Sequence, residues 1–149
     1  MEQRTIAEVA KSANVFSKTA EAVQSQRRQR LVRLAQLLDA YDGPVHLLSR
    51  IEYVRSPERL LLRRDDSPLT VAFSDPMFRA QGLAGDRLGD AMDFFALTDR
   101  EAHHVFCDCH YTVAPTARAI AGQLRSLAHK PTLSEIWHKA GQAISRLWS

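Results

Sequence analysis

Reactive side chains concentrate in one stretch of this 149-residue chain: Asp99, Glu101, His103, His104, Cys107, Asp108, Cys109 and His110. Imidazole and thiol are zinc-type ligands, and a thiol one helical turn from a histidine is also the pairing that generates a nucleophilic thiolate. Thr98, with Glu101 three residues on, makes a capping box, so the stretch reads as one helix continuing through His110. On that wheel Ala102, Val105, Phe106, Cys109 and Val113 share a core face, while Asp99, His103, Cys107 and His110 gather on a separate arc. Cys109 is therefore expected as a small buried hydrophobe and Cys107 as the thiol at the site.

The metal reading takes His103, Cys107 and His110 as ligands, because i, i+4 and i, i+3 spacings bring side chains together on a helix. Asp99 to His110 covers roughly 16 Å along a helix, too far for one ion to take all four. Further ligands would come from His46, His129 or His138. Neither a Cys-x-x-Cys knuckle nor a His-Glu-x-x-His helix is present. The nucleophile reading is weaker in its chemistry. Protonated His103 and His110 favour thiolate at Cys107, Asp99 and Asp108 oppose it, and the position is mid-helix, away from an activating N-terminus. No catalytic residue is assigned, no cofactor is expected, and a non-enzyme is favoured.

A second chemical feature is basic. Arg27, Arg28, Arg30 and Arg33 interleave with the start of an apolar stripe, an amphipathic pattern that can meet phosphates, an acidic partner or anionic lipid. The stripe beginning at Leu31 claims the buried face, so all four arginines are expected in solvent. Residues 1 to 64 hold 12 Lys+Arg against 7 Asp+Glu, and residues 65 to 149 hold 8 against 10, so the basic excess is N-terminal. Arginine outnumbers lysine 16 to 4 over the chain, which makes the run less exceptional than it first reads.

The elements that must position these groups are mostly helical. Thr5 with Glu8 opens a helix carrying Ile6, Val9, Ala10, Ala13, Phe16, Ala20 and Val23; Ser25 can cap a second with Leu31, Leu34, Leu38 and Tyr41, or the two run together. Ser56-Pro57, Ser67-Pro68 and Asp75-Pro76 read as N-caps followed by proline, predicting short helices, with a hairpin over about 60–73 as the rival. Asp86 can cap Arg87 to Phe95, Thr116 starts a helix with Ile120 and Leu124, and Thr132 with Glu135 caps a last helix. In that last helix Ile136, Ala140, Ala143, Ile144 and Leu147 form the stripe, widened by Trp137 and Trp148. Gly82, Gly85 and Gly89 lack the context of a phosphate loop, and Gly82 and Gly85 are expected to end a helix and shape a turn.

The expected fold is all-α: one compact multi-helix domain over 1–149, with an N-terminal helical segment at 1–43 and a helical core at 44–149. Its core should include Leu34, Leu38, Phe95, Phe106, Cys109, Ile120, Leu124, Ile136 and Ile144. Composition, 45% apolar and 25% charged, is ordinary for a globular chain. No leader-like stretch or membrane-length apolar run occurs, so a soluble cytoplasmic protein is expected. The two cysteines do not suggest a disulfide scaffold.

Leu97-Thr98-Asp99-Arg100-Glu101-Ala102 resembles the opening of the helix-turn-helix in LuxR-type response regulators, and Ala119-Ile120-Ala121 with Leu124 resembles its second helix. That resemblance implies DNA binding. The chain departs from the pattern in its longer segment from Phe106 to Pro115 and in a final helix that offers Lys139 and Arg146 beside two tryptophans, so the family is not assigned. Broad apolar helix faces without an assembled catalytic set favour a non-enzymatic interaction or regulatory module with a protein partner, self-association being open. Nucleic-acid binding through the basic helix is the alternative, and thiol or metal chemistry around Cys107 the third reading.

Overall fold

In a computed structural model, residues 6–131 and 133–147 are described. They form seven α-helices and no strand: α1 (Ile6–Asp39), α2 (Pro68–Ser74), α3 (Pro76–Ala80), α4 (Leu88–Phe95), α5 (Asp99–Phe106), α6 (Ala117–His129) and α7 (Leu133–Leu147). The all-α expectation holds. The segment weighed as a hairpin is a 3-10 turn at Glu58–Leu61 followed by α2, because Ser67 caps Pro68 by accepting the Thr70 N–H at 3.2 Å. An isolated ribbon would have had no neighbouring strand to lie against.

Ser25 does not begin a helix, since α1 runs through it without a break. Thr5 and Thr132 lie outside the described residues, as do the side chains of Val9, Ala10, Ala13, Phe16 and Glu135. The second half of α1 buries Leu31, Leu34, Ala35 and Leu38 completely and lies along α6, whose Ile120, Ala121 and Leu124 are equally buried. Around that pair the core takes in Leu48 and Ile51 from the loop before α2, Leu69 and Ala72 from α2, and Phe106 from α5. Phe78, Phe94 and Phe95 meet edge to face at 5.0 to 5.5 Å between centroids, the arrangement that ring quadrupoles favour.

Helix ends follow local chemistry. α3 stops in a Schellman motif, with Leu83 N–H donating to Phe78 O and Gly82 N–H to Arg79 O, and Gly82 takes the positive φ of 109° that this motif assigns to glycine. Asp86 does not cap α4. It pairs with Arg63, and Asp90 instead accepts the Arg87 N–H at 3.3 Å. α4 closes through Ala96 at φ 51°, with Leu97 N–H donating to Met92 O, so a side chain occupies a left-handed position.

Two expected core positions are overturned on α7. Ile136 is 48% exposed and Ile144 59% exposed, because α7 contributes no described residue to the core that α1 to α6 complete among themselves. No described helix is long and apolar enough to cross a membrane.

The buried carboxylate of Asp75, at the start of α3, receives two hydrogen bonds from Arg33, at 2.7 and 2.9 Å. The Arg33 guanidinium holds that carboxyl below the ordinary carboxylate range, outweighing the opposing effect of burial. A depressed native pKa adds stability that is complete above the unfolded value of about 3.9 and is lost as pH falls through the lower native value. Asp75→Ala should cost about 2 kcal/mol in denaturant unfolding at neutral pH and flatten the loss of stability on acidification below about pH 4. Ala96→Gly should act in the opposite direction, stabilising by up to about 1 kcal/mol as the left-handed position loses its Cβ; calorimetry reads the rise in Tm.

Candidate functional site

The chemistry-bearing segment departs from the helix read in the sequence at one point. α5 opens on its expected box, Thr98 Oγ1 accepting the Glu101 N–H at 3.2 Å and Glu101 Oε2 accepting the Thr98 N–H at 2.9 Å. It ends at Phe106, however, because Cys107 is extended, with φ −93° and ψ 135°. Leu48 lies beside the break: its N–H donates to Phe106 O at 2.8 Å, and its carbonyl accepts the Asp108 N–H at 3.3 Å. A 3-10 turn over Asp108–His110 then folds back.

This break reverses the two cysteines. Cys107 is fully buried and Cys109 is exposed, so the expected buried Cys109 and exposed Cys107 are both corrected, and Val113 stands in solvent instead of on a core face. The helical periodicity that would place these side chains stops at Phe106. The turn also brings His110 back onto α5. His110 Nε2 lies 2.9 Å from His103 Nδ1, and Cys109 Sγ lies 3.7 Å from His103 Nε2 and 2.8 Å from Cys107 Sγ. One donor atom from each of His103, Cys109 and His110 falls within 4.8 Å of the others. His103 and His110 thus meet as expected, with Cys109 completing the close trio and Cys107 behind it.

Neighbouring groups set the electrostatics. Asp99 pairs with Arg59, 3.1 Å away. Burial, followed by the charges of His110 and Arg59, lowers the His103 pKa, which keeps its ring neutral around neutral pH. Although Cys109 is exposed, partial desolvation of its sulfur and the adjoining Cys107 push the thiol up to about 12, with Glu52 adding to the rise. A thiol held protonated is a poor nucleophile, and the helix N-terminus that could activate it is absent at this end of α5. His46 and His129 are exposed and outside the trio, and the side chain of His138 lies outside the described residues. Beside the trio, a cleft of about 660 Å³ opens between α5 and α6, rimmed by Arg100, His104, Gln123 and Lys130.

The arginines expected in solvent are mostly engaged by the protein itself. Arg27 pairs with Glu101 at 2.9 Å, and Arg28 donates to Ala128 O at 3.1 Å. Arg30 donates to Phe94 O at 2.7 Å with its guanidinium 3.8 Å above the Phe94 ring, while Arg33 holds Asp75. Arg27, Arg30 and Arg33 are half-buried, and Arg28 alone keeps the expected exposure. Snorkelling stems pack beside the stripe as the heads reach loops and helix ends on either side.

Ten residues, 107–116, separate α5 from α6, whereas a helix-turn-helix joins its helices through three or four. Comparison with protein-family models, with curated proteins and with solved structures finds no match.

The surface that sequence reading placed in the core is the other candidate. Every described side chain of α7 is exposed, including Trp137 at 74% and Leu147 at 84%. Ile136, Ala140, Ala143, Ile144 and Leu147 form one apolar stripe on that helix.

The reversed cysteines give a direct check. With a chelator present, Cys107→Ser should lower stability by about 1–3 kcal/mol, since it puts a hydroxyl into the core, and Cys109→Ser should stay within about 0.5 kcal/mol of the parent. Native thiol labelling should be confined to Cys109 and should quicken as pH rises toward its pKa; faster labelling of Cys107 would contradict the assignment.

Proposed function

We propose that this protein is a non-enzymatic helical interaction module that engages a protein partner through the apolar stripe of α7. The observation that carries this reading is the exposure of Ile136, Trp137, Ile144 and Leu147 on one amphipathic helix. A fifteen-residue helix whose isoleucines and leucine are joined by Ala140 and Ala143 into one stripe of i+3 and i+4 steps gains little by standing in water. Laid into an apolar groove it would bury that stripe, the helix-in-groove mode of recognition. Trp137 beside the stripe is the residue type most often found as an interface anchor. Further apolar side chains stand exposed at Val15 and Val23 on α1, and every side chain from Lys18 to Val23 is in solvent, so a partner embracing both helices would have more to cover. Ala140 and Ala143 would allow close approach of a facing helix, including that of a second copy.

Nucleic-acid binding through Arg27, Arg28, Arg30 and Arg33 has less support, because contact with phosphates would require these guanidinium groups to leave partners within the protein. Catalysis by a thiolate has less again, given the protonated Cys109 and the buried Cys107.

The test compares the full chain with Ile136→Glu/Ile144→Glu. Sedimentation of the pure chain reads self-association, and photo-crosslinking in the native cell from position 137, with position 113 as an exposed apolar control, reads a different partner. Either a self-associated species or a 137-specific adduct should appear and be lost in the double variant, with the helical CD signal retained. A chain that sediments as a monomer and cross-links no more specifically from 137 than from 113 would refute the proposal.

A further inference from the structure

We propose that His103, Cys109 and His110, with Cys107 as the second sulfur, form a binding site for one zinc-class ion. The inference concerns the turn after α5 and does not rest on α7. Donor geometry carries it. Zinc bonds to nitrogen and sulfur of about 2.0–2.3 Å place donors roughly 3.3–3.8 Å apart in a tetrahedron. Here one atom from each of three residues falls within 4.8 Å, the Cys109–His103 separation is 3.7 Å, and the two sulfurs are 2.8 Å apart. Binding requires the two sulfurs to open from 2.8 Å to the tetrahedral spacing.

Backbone order supports the same site. Donors at 103, 109 and 110 converge, with the Cys107 sulfur beside that of Cys109, because α5 stops at Phe106, Cys107 is extended, and the turn at Asp108–His110 reverses the chain. Leu48 hydrogen-bonds on both sides of that reversal, so the cradle is fixed by main-chain bonds as well as by its own side chains. A ring on helix α5, a buried sulfur at its end and two exposed donors on a short turn put the site at the surface, within reach of an ion from solvent.

Donor chemistry selects the class of ion. Two thiols and two imidazoles suit zinc or another borderline-to-soft cation, while magnesium and calcium require oxygen. On binding, each coordinating thiol gives its proton to solvent and the sulfur binds as thiolate, with no change of oxidation state. The ion would tie the last turn of α5 to the chain that leaves it, at the mouth of the cleft between α5 and α6.

The experiment uses the full chain, purified under reducing conditions, stripped with chelator and titrated with zinc or with cobalt as a visible probe. One equivalent should bind. Cobalt should give the intense visible bands of a tetrahedral site with thiolate-to-metal charge transfer, and zinc should raise the Tm until chelator reverses it. Cys109→Ser and His110→Ala, both at exposed positions, should each weaken zinc binding by at least about 100-fold, Cys107→Ala should weaken it too, and His104→Ala should leave it unchanged. The weak bands of octahedral cobalt without charge transfer, or equal zinc retention by the parent and Cys109→Ser/His110→Ala, would overturn the site. So would a chain isolated with a Cys107–Cys109 disulfide and no zinc affinity after reduction. If a variant fails to fold, the cobalt spectrum of the parent decides alone.

Discussion

Leu31, Leu34 and Leu38 can be fully buried only if the arginines interleaved with them find somewhere to put their charge, and this constraint organises much of the molecule. On one side of the stripe Arg30 and Arg33 reach the end of α4 and the start of α3; on another Arg27 and Arg28 reach the start of α5 and the end of α6. Each contact satisfies a helix terminus or a carboxylate that would otherwise be desolvated alone. The short helices α2 to α5, too brief to be stable by themselves, are thus gathered around one long one.

The part of the fold set by local chemistry was legible. Thr98 with Glu101, Thr116, and Ser67 before Pro68 are short-range signals whose partners lie within four residues, and each acts as its sequence implies. What was not legible depends on distant residues. Nothing near Phe106 announces that α5 ends there; the break coincides with a pairing to Leu48, far away in sequence, and a wheel drawn through it misassigned both cysteines and Val113.

The arginines and α7 failed for a related reason. Periodicity reports that a helix has an apolar face but not whether that face finds a neighbour, and it cannot distinguish a solvated arginine from one that bonds to another helix. In α1 and α7 the same pattern has opposite outcomes: Leu34 is sealed by α6, and Ile144 stands in water.

Glu101 is occupied on both carboxylate oxygens, Oε1 by Arg27 and Oε2 by the Thr98 N–H. The first turn of α5 is therefore a mechanical joint as well as a cap. Movement of α1 against α5 would have to break the Arg27–Glu101 pair or carry the capping carboxylate along with it.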